Sequence, residues 1–392
     1  MTKEIVVIDG ARTAFTEFGG SFRDVSAIDL AVHTTKEAMR RSQVEPEEVD
    51  QVVIGNVIQS STDAIYMARH VGLKSGVPEH VPGLTVNRLC GSGLQAIVNA
   101  AQSIKLGESN VSIAGGSENM SQVPHVIRGA RWGLPLGKSP MEDYLWEALY
   151  DPYGKCSMAI TAENLAEKYE ISRDQIDKFA SQSHKRALAA QENGFFAKEI
   201  LPITVRNRKS EKVIELDEHP RETPIDVLNR LPARFKENGV VTAGNASGIN
   251  DGAATMVVTS DEYAQKRNLK PLARLVSWGI VGVEPKYMGI GPAPAIRQAL
   301  ERANMKVEDL DLIEINEAFA AQYLACQKEL GFDPNIGNVN GGAVALGHPL
   351  GASGARISLS LIYELKRRNK KYGASALCIG GGQGIAAIWE VL

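Results

Sequence analysis

The sequence contains few cysteines, few histidines and few aromatic residues for its length. Of its 392 residues, four are cysteine and seven are histidine, and aromatic side chains make up 6%. Four cysteines are too few for a disulfide scaffold, and they fit a reducing, intracellular compartment. The sequence has no CxxC pair and no HxxxH pair, so it gives no support for a metal site.

A strong net charge and a long hydrophobic run are also missing. The formal charge is −3 at pH 7, which provides no electrostatic attraction toward nucleic acid or an anionic membrane surface. The N-terminal apolar run at residues 5–8 is too short for a signal peptide, and no later run has the length of a membrane span. The sequence therefore predicts a cytoplasmic protein with neither nucleic acid nor a membrane as partner.

An internal repeat is the main organising feature of the chain. Residues 38–56 and 299–317 agree in residue class and order at an offset of 261 residues, and the same offset pairs Ser92-Gly93 with Ser353-Gly354. Each copy shows a helical pattern, an acidic turn, an apolar strand pattern, a glycine-rich helix start and a second strand pattern. Such alternation is typical of βαβ units, in which helices cover both faces of a sheet. The sequence therefore predicts a duplicated α/β fold.

The segment between the copies has a different character and predicts an inserted domain. Within residues 120–248, a loop rich in glycine and proline precedes two helical patterns, near 161–169 and 172–193. Ser172 opens the second helix with the spacing of a capping box. A charged, extended stretch follows at 205–217.

A strand pattern then returns at 253–260 and resembles the closing strand pattern at 385–391. We therefore expect it to complete the first copy. The predicted domains are residues 1–119 with 249–270, residues 120–248, and residues 271–392.

Cys90 is the first candidate for catalysis. An apolar strand pattern leads into it, and apolar residues at helical spacing follow it, namely Leu94, Ile97, Val98, Ala101 and Ile104. A thiol at a helix N-terminus faces unpaired N–H groups and the positive end of the helix dipole. This position favours ionisation and nucleophilic attack. The alternative is a buried structural cysteine, a common fate of a free cysteine.

Three loops of the second copy carry the other candidates. Asn316 follows an apolar strand, where polar groups of α/β sheets face the ligand crevice, although a helix N-cap explains it equally well. His348 stands between glycines and Pro349, a rigid setting that favours an acid/base role over that of an ordinary core histidine. Cys378 precedes the turn Gly380-Gly381-Gly382, whose bare N–H groups suit an oxyanion hole.

Together, two cysteines, one histidine, one asparagine and a glycine turn match the formation of carbon–carbon bonds between thioesters. One sulfur accepts the acyl group while an imidazole activates it. A second base removes a proton next to a thioester carbonyl, and hydrogen-bond donors hold the two oxyanions that develop.

The sequence resembles the thiolase family over essentially its whole length. Four blocks carry the resemblance: Asn87-Arg88-Leu89-Cys90-Gly91-Ser92-Gly93, Asn316-Glu317-Ala318-Phe319, Gly347-His348-Pro349 and Cys378-Ile379-Gly380-Gly381-Gly382. The resemblance implies a duplicated fold with a five-layered αβαβα core, an inserted loop domain, and assembly into a dimer or tetramer.

The resemblance also implies roles for the motif residues. Cys90 would be the acylated nucleophile, His348 would activate it, and Cys378 would exchange a proton with acetyl-CoA. Asn316, through a water, would form one oxyanion hole with His348. The N–H groups of Cys90 and Gly380 would form the other.

Coenzyme A would bind as a substrate, and the resemblance implies no permanently bound cofactor. Its pantetheine would contact Ser247 and pass through an apolar tunnel formed by Leu149, Met158, Met288 and Phe319. Two residues, Arg221 and His184, are candidates for the nucleotide end. The two methionines also fit an ordinary core.

The predicted activity is that of an acetyl-CoA C-acetyltransferase, which interconverts acetyl-CoA and acetoacetyl-CoA. Ser157 stands where biosynthetic members of the family usually carry histidine, and this departure favours the alternative of a degradative 3-ketoacyl-CoA thiolase. Two further alternatives are a non-catalytic acyl-CoA-binding protein and a redox switch formed by Cys90 and Cys378.

Overall fold

A computed structural model of the chain describes residues 3–137, 140–206 and 211–392. The first half of the chain alternates strands with helices: β1 (Ile5–Arg12), β2 (Thr16–Glu17), α1 (Ala27–Ser42), β3 (Gln51–Gly55), α2 (Met67–Lys74), β4 (Gly83–Val86), α3 (Ser92–Leu106) and β5 (Val111–Asn119).

The inserted segment consists of short strands and helices: β6 (His125–Val126), β7 (Glu142–Asp143), α4 (Tyr144–Ala148), β8 (Tyr150–Asp151), β9 (Cys156–Ser157), α5 (Met158–Lys168), α6 (Arg173–Glu192), β10 (Ile203–Arg206), β11 (Glu211–Ile214) and α7 (Ile225–Asn229).

The rest of the chain returns to the α/β pattern: β12 (Asn250–Ser260), α8 (Asp261–Lys266), β13 (Ala273–Gly282), α9 (Pro292–Ala303), β14 (Leu312–Ile315), α10 (Ala320–Leu330), α11 (Ala343–Leu346), α12 (Leu350–Arg367), β15 (Tyr372–Ile379) and β16 (Gln383–Val391).

The main sheet repeats one strand arrangement twice. Its first half has the order β1-β12-β5-β3-β4, its second half has the order β13-β16-β15-β14, and β1 meets β13 through the pairs Val6–Arg274 and Val7–Ala273. In both halves the strands farthest from the β1–β13 seam pair in parallel (β3 with β5 and with β4 in the first half, β14 with β15 in the second), and the other pairs are antiparallel. The predicted duplication is therefore confirmed, with β12 completing the first copy as expected.

Helices α3 and α12 pack against each other between the two halves of the sheet. One apolar cluster joins these two helices to strands of both halves, and it includes Leu94, Ile97, Ile357, Leu361 and Trp389. A second cluster covers the outer face of the first half with α1, and a third covers the outer face of the second half with α9 and α10. The result is the αβαβα layering expected of the thiolase fold.

Strand β3 is shorter than the apolar pattern that contains it. The apolar pattern reaches Ile58, but the strand ends at Gly55, because the chain turns there to reach the buried carboxylate of Glu118. The N–H groups of Val57 and Ile58 donate to this carboxylate at 3.1 and 3.0 Å. The apolar run thus continues beyond the sheet into a buried loop.

The inserted segment contains the two predicted helices, α5 and α6. The predicted capping box at Ser172 is confirmed, because Ser172 and Gln175 satisfy each other's backbone N–H groups. The buried guanidinium of Arg12 on β1 binds Glu199 and Asp217 at 2.8 and 2.6 Å, which fastens the insertion to the sheet. Residues 207–210 of the predicted extended stretch lie outside the described residues, and the predicted domain boundaries stay a prediction.

No helix in the described part of the chain combines the length and the apolar character that crossing a bilayer requires.

Candidate active site

Cys90 lies in a tight turn that leads into α3. Leu89 has a φ of 46°, a left-handed conformation that its neighbours stabilise: Asn87 Oδ1 accepts from the N–H of Leu89 at 2.9 Å, and Ser92 Oγ donates to the Leu89 carbonyl at 2.6 Å. The motif thus supplies the polar side chains that hold its own turn. The thiol is held two residues before the first turn of the helix.

Burial raises the pKa of the Cys90 thiol to about 11, although N–H groups of Gly380 and of Cys90 itself point toward the sulfur and oppose the shift. The expectation that the helix N-terminus lowers the thiol pKa is therefore wrong. The sulfur packs against the apolar cluster that contains Ile58, Leu145 and Leu350, and the loss of hydration penalises the thiolate more than the backbone N–H groups stabilise it.

His348 is buried at the start of α12, and its ring has a fixed tautomer. The Ser353 hydroxyl donates to the Pro349 carbonyl at 2.8 Å and lies 2.6 Å from His348 Nδ1. Because this hydroxyl has a single proton, His348 Nδ1 must carry the proton of the second hydrogen bond. Nε2 is then unprotonated and can accept a proton. Burial, together with the charge of Arg356, lowers the pKa of His348 to about 3, so the imidazole is neutral.

Asn316 lies beside this imidazole at the end of β14. Its backbone N–H donates to the Ala376 carbonyl of β15 at 2.9 Å, and its Nδ2 lies 3.4 Å from His348 Nε2. The amide oxygen, Oδ1, is buried without a hydrogen-bond partner among the described residues. The two side chains predicted to share an oxyanion hole are therefore adjacent.

Cys378, at the end of β15, is buried and packs with Met288 and Ala318, flanked by Met158 and Phe319. Burial and the neighbouring Cys90 raise the pKa of its thiol well above the usual range. Both cysteines are free thiols. The structure thus brings together Cys90 and Cys378, which come from the two halves of the chain.

Gly380 lies against the turn of the nucleophile. A Cβ atom at this position would lie 3.2 Å from Leu89 Cδ1 and 3.3 Å from Met158 Sδ. The absence of a side chain lets the N–H of Gly380 reach the Cys90 sulfur. The N–H of Cys90 points to the same place, so the two groups form a pair of donors at the nucleophile.

A cavity of about 170 Å³ opens onto His348, and we call it the His348 cavity. Four of the residues predicted to bind coenzyme A line it, namely Leu149, Met158, Ser247 and Phe319. Met288 does not, because it is buried against Cys378. Trp146 and Phe235 also line the cavity, and no spacing in the sequence pointed to them.

The two candidates for the nucleotide end do not line the His348 cavity. His184 is buried, and its Nδ1 accepts from the backbone N–H of Arg221 at 3.4 Å. Burial lowers the pKa of His184 to about 3, so it carries no positive charge. The Arg221 side chain is half exposed and leans on His219.

The sequence reasoning missed Ser353, which orients His348. A signal was available, because the repeat pairs Ser353 with Ser92, and both hydroxyls close a turn beside a candidate catalytic residue. Among the described residues, no group of three or more histidine, cysteine or acidic side chains is arranged to hold a metal ion.

Comparison with known proteins identifies the family. The family models "Thiolase, N-terminal domain" and "Thiolase, C-terminal domain" match residues 5–262 and 269–391. Beta-ketothiolase BktB of Cupriavidus necator is 50% identical, with both chains covered in full. Human mitochondrial 3-ketoacyl-CoA thiolase is 49% identical over 99% of this chain and 98% of its own.

Solved structures show the same similarity. The acetyl-CoA acetyltransferase of Bacillus anthracis is 48% identical and superposes with a TM-score of 0.98 over 100% of this chain and 99% of that chain. Human mitochondrial 3-ketoacyl-CoA thiolase in complex with CoA is 49% identical, with a TM-score of 0.97 over 100% of this chain and 98% of that chain.

The prediction from the sequence that the protein is cytoplasmic is wrong. Relatives with 48–49% identity over 99–100% of the chain are named as mitochondrial proteins. The short N-terminal apolar run and the small number of cysteines therefore do not determine the compartment.

Two family matches that together span residues 5–391, and relatives near half identity over the full length, lead to one conclusion: the chain belongs to the thiolase family of acyltransferases.

Proposed function

We propose that this protein interconverts acetoacetyl-CoA and acetyl-CoA through an acetyl group carried on Cys90. The proposal is supported by the pair of N–H donors, from Cys90 and Gly380, at the Cys90 sulfur, by the neighbouring Cys378 thiol, and by the buried imidazole of His348, whose Nε2 can accept a proton. Acyl transfer to a thiol requires such a base and such donors.

In the direction of cleavage, the Cys90 thiol gives its proton to His348 Nε2 as the sulfur attacks the ketone carbon of acetoacetyl-CoA. The bond between the ketone carbon and the methylene carbon then breaks, and its electron pair passes to the enolate of acetyl-CoA. Cys378 protonates that enolate. The acetyl group remains on Cys90, and acetyl-CoA leaves.

The second half returns the enzyme to its starting state. The thiol of a new coenzyme A gives its proton to the Cys378 thiolate and attacks the acetyl carbon. The Cys90 sulfur leaves and takes the proton back from His348. The overall products are two molecules of acetyl-CoA, and the reverse sequence is the condensation.

The buried surroundings of Cys90, Cys378 and His348 support these roles. Because burial raises the pKa of both thiols and lowers that of His348, all three groups are neutral in the resting site. Charge then develops only as the reaction proceeds, where the N–H pair and the Asn316 amide stabilise it.

The His348 cavity is the proposed entry for pantetheine, with Ser247 at its wall and an apolar lining that includes Leu149, Met158 and Phe319. Arg221 is the proposed partner of the nucleotide phosphates. Coenzyme A is bound as a substrate, with no permanently bound cofactor, and the assembly proposed for the chain is a homo-oligomer, either a dimer or a tetramer.

A second candidate activity is the thiolysis of longer 3-ketoacyl-CoA. It is favoured by the small side chain of Ser157, which lines the His348 cavity beside Met158, and by relatives at 48–49% identity that are named 3-ketoacyl-CoA thiolase.

Mass spectrometry after mixing with acetoacetyl-CoA tests the main proposal. We expect an added acetyl group on the peptide that contains Cys90, and the loss of both the label and the turnover in Cys90→Ser. Because Cys156 is a second partly exposed thiol, Cys156→Ser is the matched control and should keep both. Acetylation elsewhere, or turnover in Cys90→Ser, would contradict the assignment.

A further inference from the structure

The carboxylate of Glu118 is buried where the two halves of the chain meet. Glu118 is the next-to-last residue of β5, and its side chain is fully shielded from solvent. A buried carboxylate is costly unless hydrogen bonds replace its water. Here four neutral N–H groups donate to it, and they come from both halves of the chain.

The two oxygens of this carboxylate divide the four donors between them. Oε1 accepts from Asn56 Nδ2 at 3.1 Å and from the N–H of Ile58 at 3.0 Å. Oε2 accepts from the N–H of Val57 at 3.1 Å and from the N–H of Gly351 at 2.8 Å. The first three donors belong to the loop after β3, whereas Gly351 lies in the first turn of α12. One oxygen atom, Oε2, therefore joins a loop of the first half to a helix of the second half.

The loop after β3 supports the turn that holds the nucleophile. Asn87 Nδ2 donates to the Val57 carbonyl at 3.1 Å, and Asn87 Oδ1 accepts from the N–H of Leu89 at 2.9 Å. Cys90 itself packs against the apolar cluster that contains Ile58. A displacement of Val57 would therefore displace the turn of Cys90.

The start of α12 carries the imidazole on the other side of the carboxylate. Gly351 comes three residues after His348. A Cβ atom at Gly351 would lie 2.8 Å from the carbonyl oxygens of Gly55 and Ser117 and 2.9 Å from Glu118 Oε2. The start of α12 thus lies directly on the ends of β3 and β5, and a displacement of this start would move His348 with it.

We propose that Glu118 is a positioning residue for acyl transfer, because its carboxylate fixes the loop that supports the Cys90 turn relative to the start of α12, which carries His348. The inference rests on the proposed function, in which His348 takes the proton of the Cys90 thiol. Glu118 does not line the His348 cavity, so it acts through the backbone N–H groups that it binds. The reach of the side chain, rather than its charge, is what the position requires.

Two small changes separate reach from charge in the full-length protein. Glu118→Asp keeps the charge but is one methylene group shorter, so its carboxylate cannot reach both Gly351 and the loop. Glu118→Gln keeps the length, and once Asn56 turns its amide, the remaining oxygen can still accept from Val57 and Gly351.

The two variants should therefore differ in kcat for acetoacetyl-CoA cleavage. We expect kcat to fall at least about tenfold in Glu118→Asp, because a small displacement of reacting groups is costly, and less than about threefold in Glu118→Gln. KM should stay near the wild-type value in both. The assays are run at about pH 8.5, because burial raises the pKa of the Glu118 carboxyl to about 7 and the wild-type group must be charged.

Alkylation of Cys90 by iodoacetamide provides a readout that a general loosening of the site would move. Alkylation needs only the sulfur, whereas acetylation by acetoacetyl-CoA also needs the base in position. In Glu118→Asp the alkylation rate of the Cys90 peptide should stay within about twofold of the wild type while its acetylation rate falls with kcat.

Gly351→Ala tests the same contact from its other end. Its Cβ would press on Glu118 Oε2 and on the Gly55 and Ser117 carbonyls, so the start of α12 must move away from the carboxylate. The variant should show the same fall in kcat as Glu118→Asp. Because the two changes belong to different elements, misfolding of one variant leaves the other as a test.

Glu163→Asp is the matched control. Glu163 is also a buried carboxylate that accepts backbone N–H groups, those of Val240 and Val241 at 2.9 and 2.8 Å, but it lies on α5 of the inserted segment. The same shortening should lower the melting temperature and leave kcat within about threefold of the wild type.

Three outcomes would overturn the positioning role. They are a kcat within about threefold of the wild type in folded Glu118→Asp or Gly351→Ala, an equal fall in Glu163→Asp, or a fall in Glu118→Gln without one in Glu118→Asp. Failure of the proposed function has a different signature. In that case the wild type itself would neither cleave acetoacetyl-CoA nor carry an acetyl group on Cys90.

Discussion

At the scale of single residues, the reactive pair is uncharged at rest. Burial raises the pKa of Cys90 to about 11 and lowers that of His348 to about 3. Between these values the thiol keeps its proton and the imidazole accepts none, so a resting thiolate–imidazolium pair is disfavoured over the physiological range. Ionisation of the sulfur is then coupled to the binding and attack of the substrate.

The pH dependence of Cys90 alkylation by iodoacetamide tests this state. Only the thiolate reacts, so we expect the logarithm of the rate to rise steadily with pH and to level off only near about pH 11, because the pKa of the thiol is raised. The rate should be read from the mass of the Cys90 peptide, since Cys156 is also partly exposed.

His348→Ala is the informative comparison for that experiment. If the pair is neutral at rest, removing the imidazole leaves the alkylation profile nearly unchanged. A wild-type plateau below pH 8 that disappears in His348→Ala would instead demonstrate a preformed ion pair and would refute the neutral state.

The thiol pKa also shows where residue-level prediction from the sequence reaches its limit. The position of Cys90 before a helix was visible in the apolar spacing after it, and the chemistry of the site followed from residue types. The sign of the pKa shift was not visible, because the groups that desolvate the sulfur come from Ile58, Leu145 and Leu350, which the chain brings together only on folding.

At the scale of elements, the distance between Asn316 and His348 depends on one buried carboxylate. Glu317, the next residue after Asn316, accepts from Ser183 Oγ at 2.7 Å, from Asn338 Nδ2 at 2.8 Å and from the N–H of Val344 at 3.1 Å. Val344 begins the segment that ends in His348. Glu317 therefore fastens the end of β14 to α11, and through α11 to the imidazole.

Glu317→Gln removes the negative charge of the carboxylate. It also places an amide NH₂, which is a donor, opposite groups that all donate to this side chain. We expect unfolding to become easier by about 1–3 kcal/mol, because a buried donor loses its acceptor. We also expect kcat for acetoacetyl-CoA cleavage to fall by about ten- to a hundredfold, since a small displacement of catalytic groups is costly. KM should change little, because Glu317 does not line the His348 cavity.

Glu308→Gln serves as the control for Glu317→Gln, since Glu308 is exposed on the surface turn before β14. It should match the wild type in melting temperature and in both kinetic constants. Equal losses of kcat in the two variants, or a loss confined to KM in Glu317→Gln, would show that Glu317 does not position the site.

At the scale of the whole molecule, the repeat predicts more than the order of strands. The offset that pairs Gly93 with Gly354 in the sequence places these two glycines where α3 and α12 meet. The sequence revealed the duplication and hence the layered fold, because the same residue classes recur in order. It did not reveal that the repeated glycines face each other, since which helices meet depends on how the two halves stack.

Gly93→Ala and Gly354→Ala test the contact between the halves. A Cβ at Gly93 would lie 2.7 Å from the Gly351 carbonyl oxygen and 2.9 Å from the Ala355 nitrogen, and one at Gly354 would collide with the Leu94 backbone. Because a shift of the backbone costs free energy, each change should lower the free energy of unfolding by about 1–3 kcal/mol. Activity should fall as well, because α3 follows Cys90 and α12 follows His348.

Gly282→Ala is the control for both glycines, because a Cβ there would have its nearest neighbour 4.0 Å away. It should leave the melting temperature and the activity near the wild-type values. The two damaging changes act on one contact, so the double variant should lose less stability than the sum of the single losses. Strict additivity, or a Gly354→Ala protein as stable and active as the wild type, would mean that the halves do not depend on this contact to bring Cys90 and His348 together.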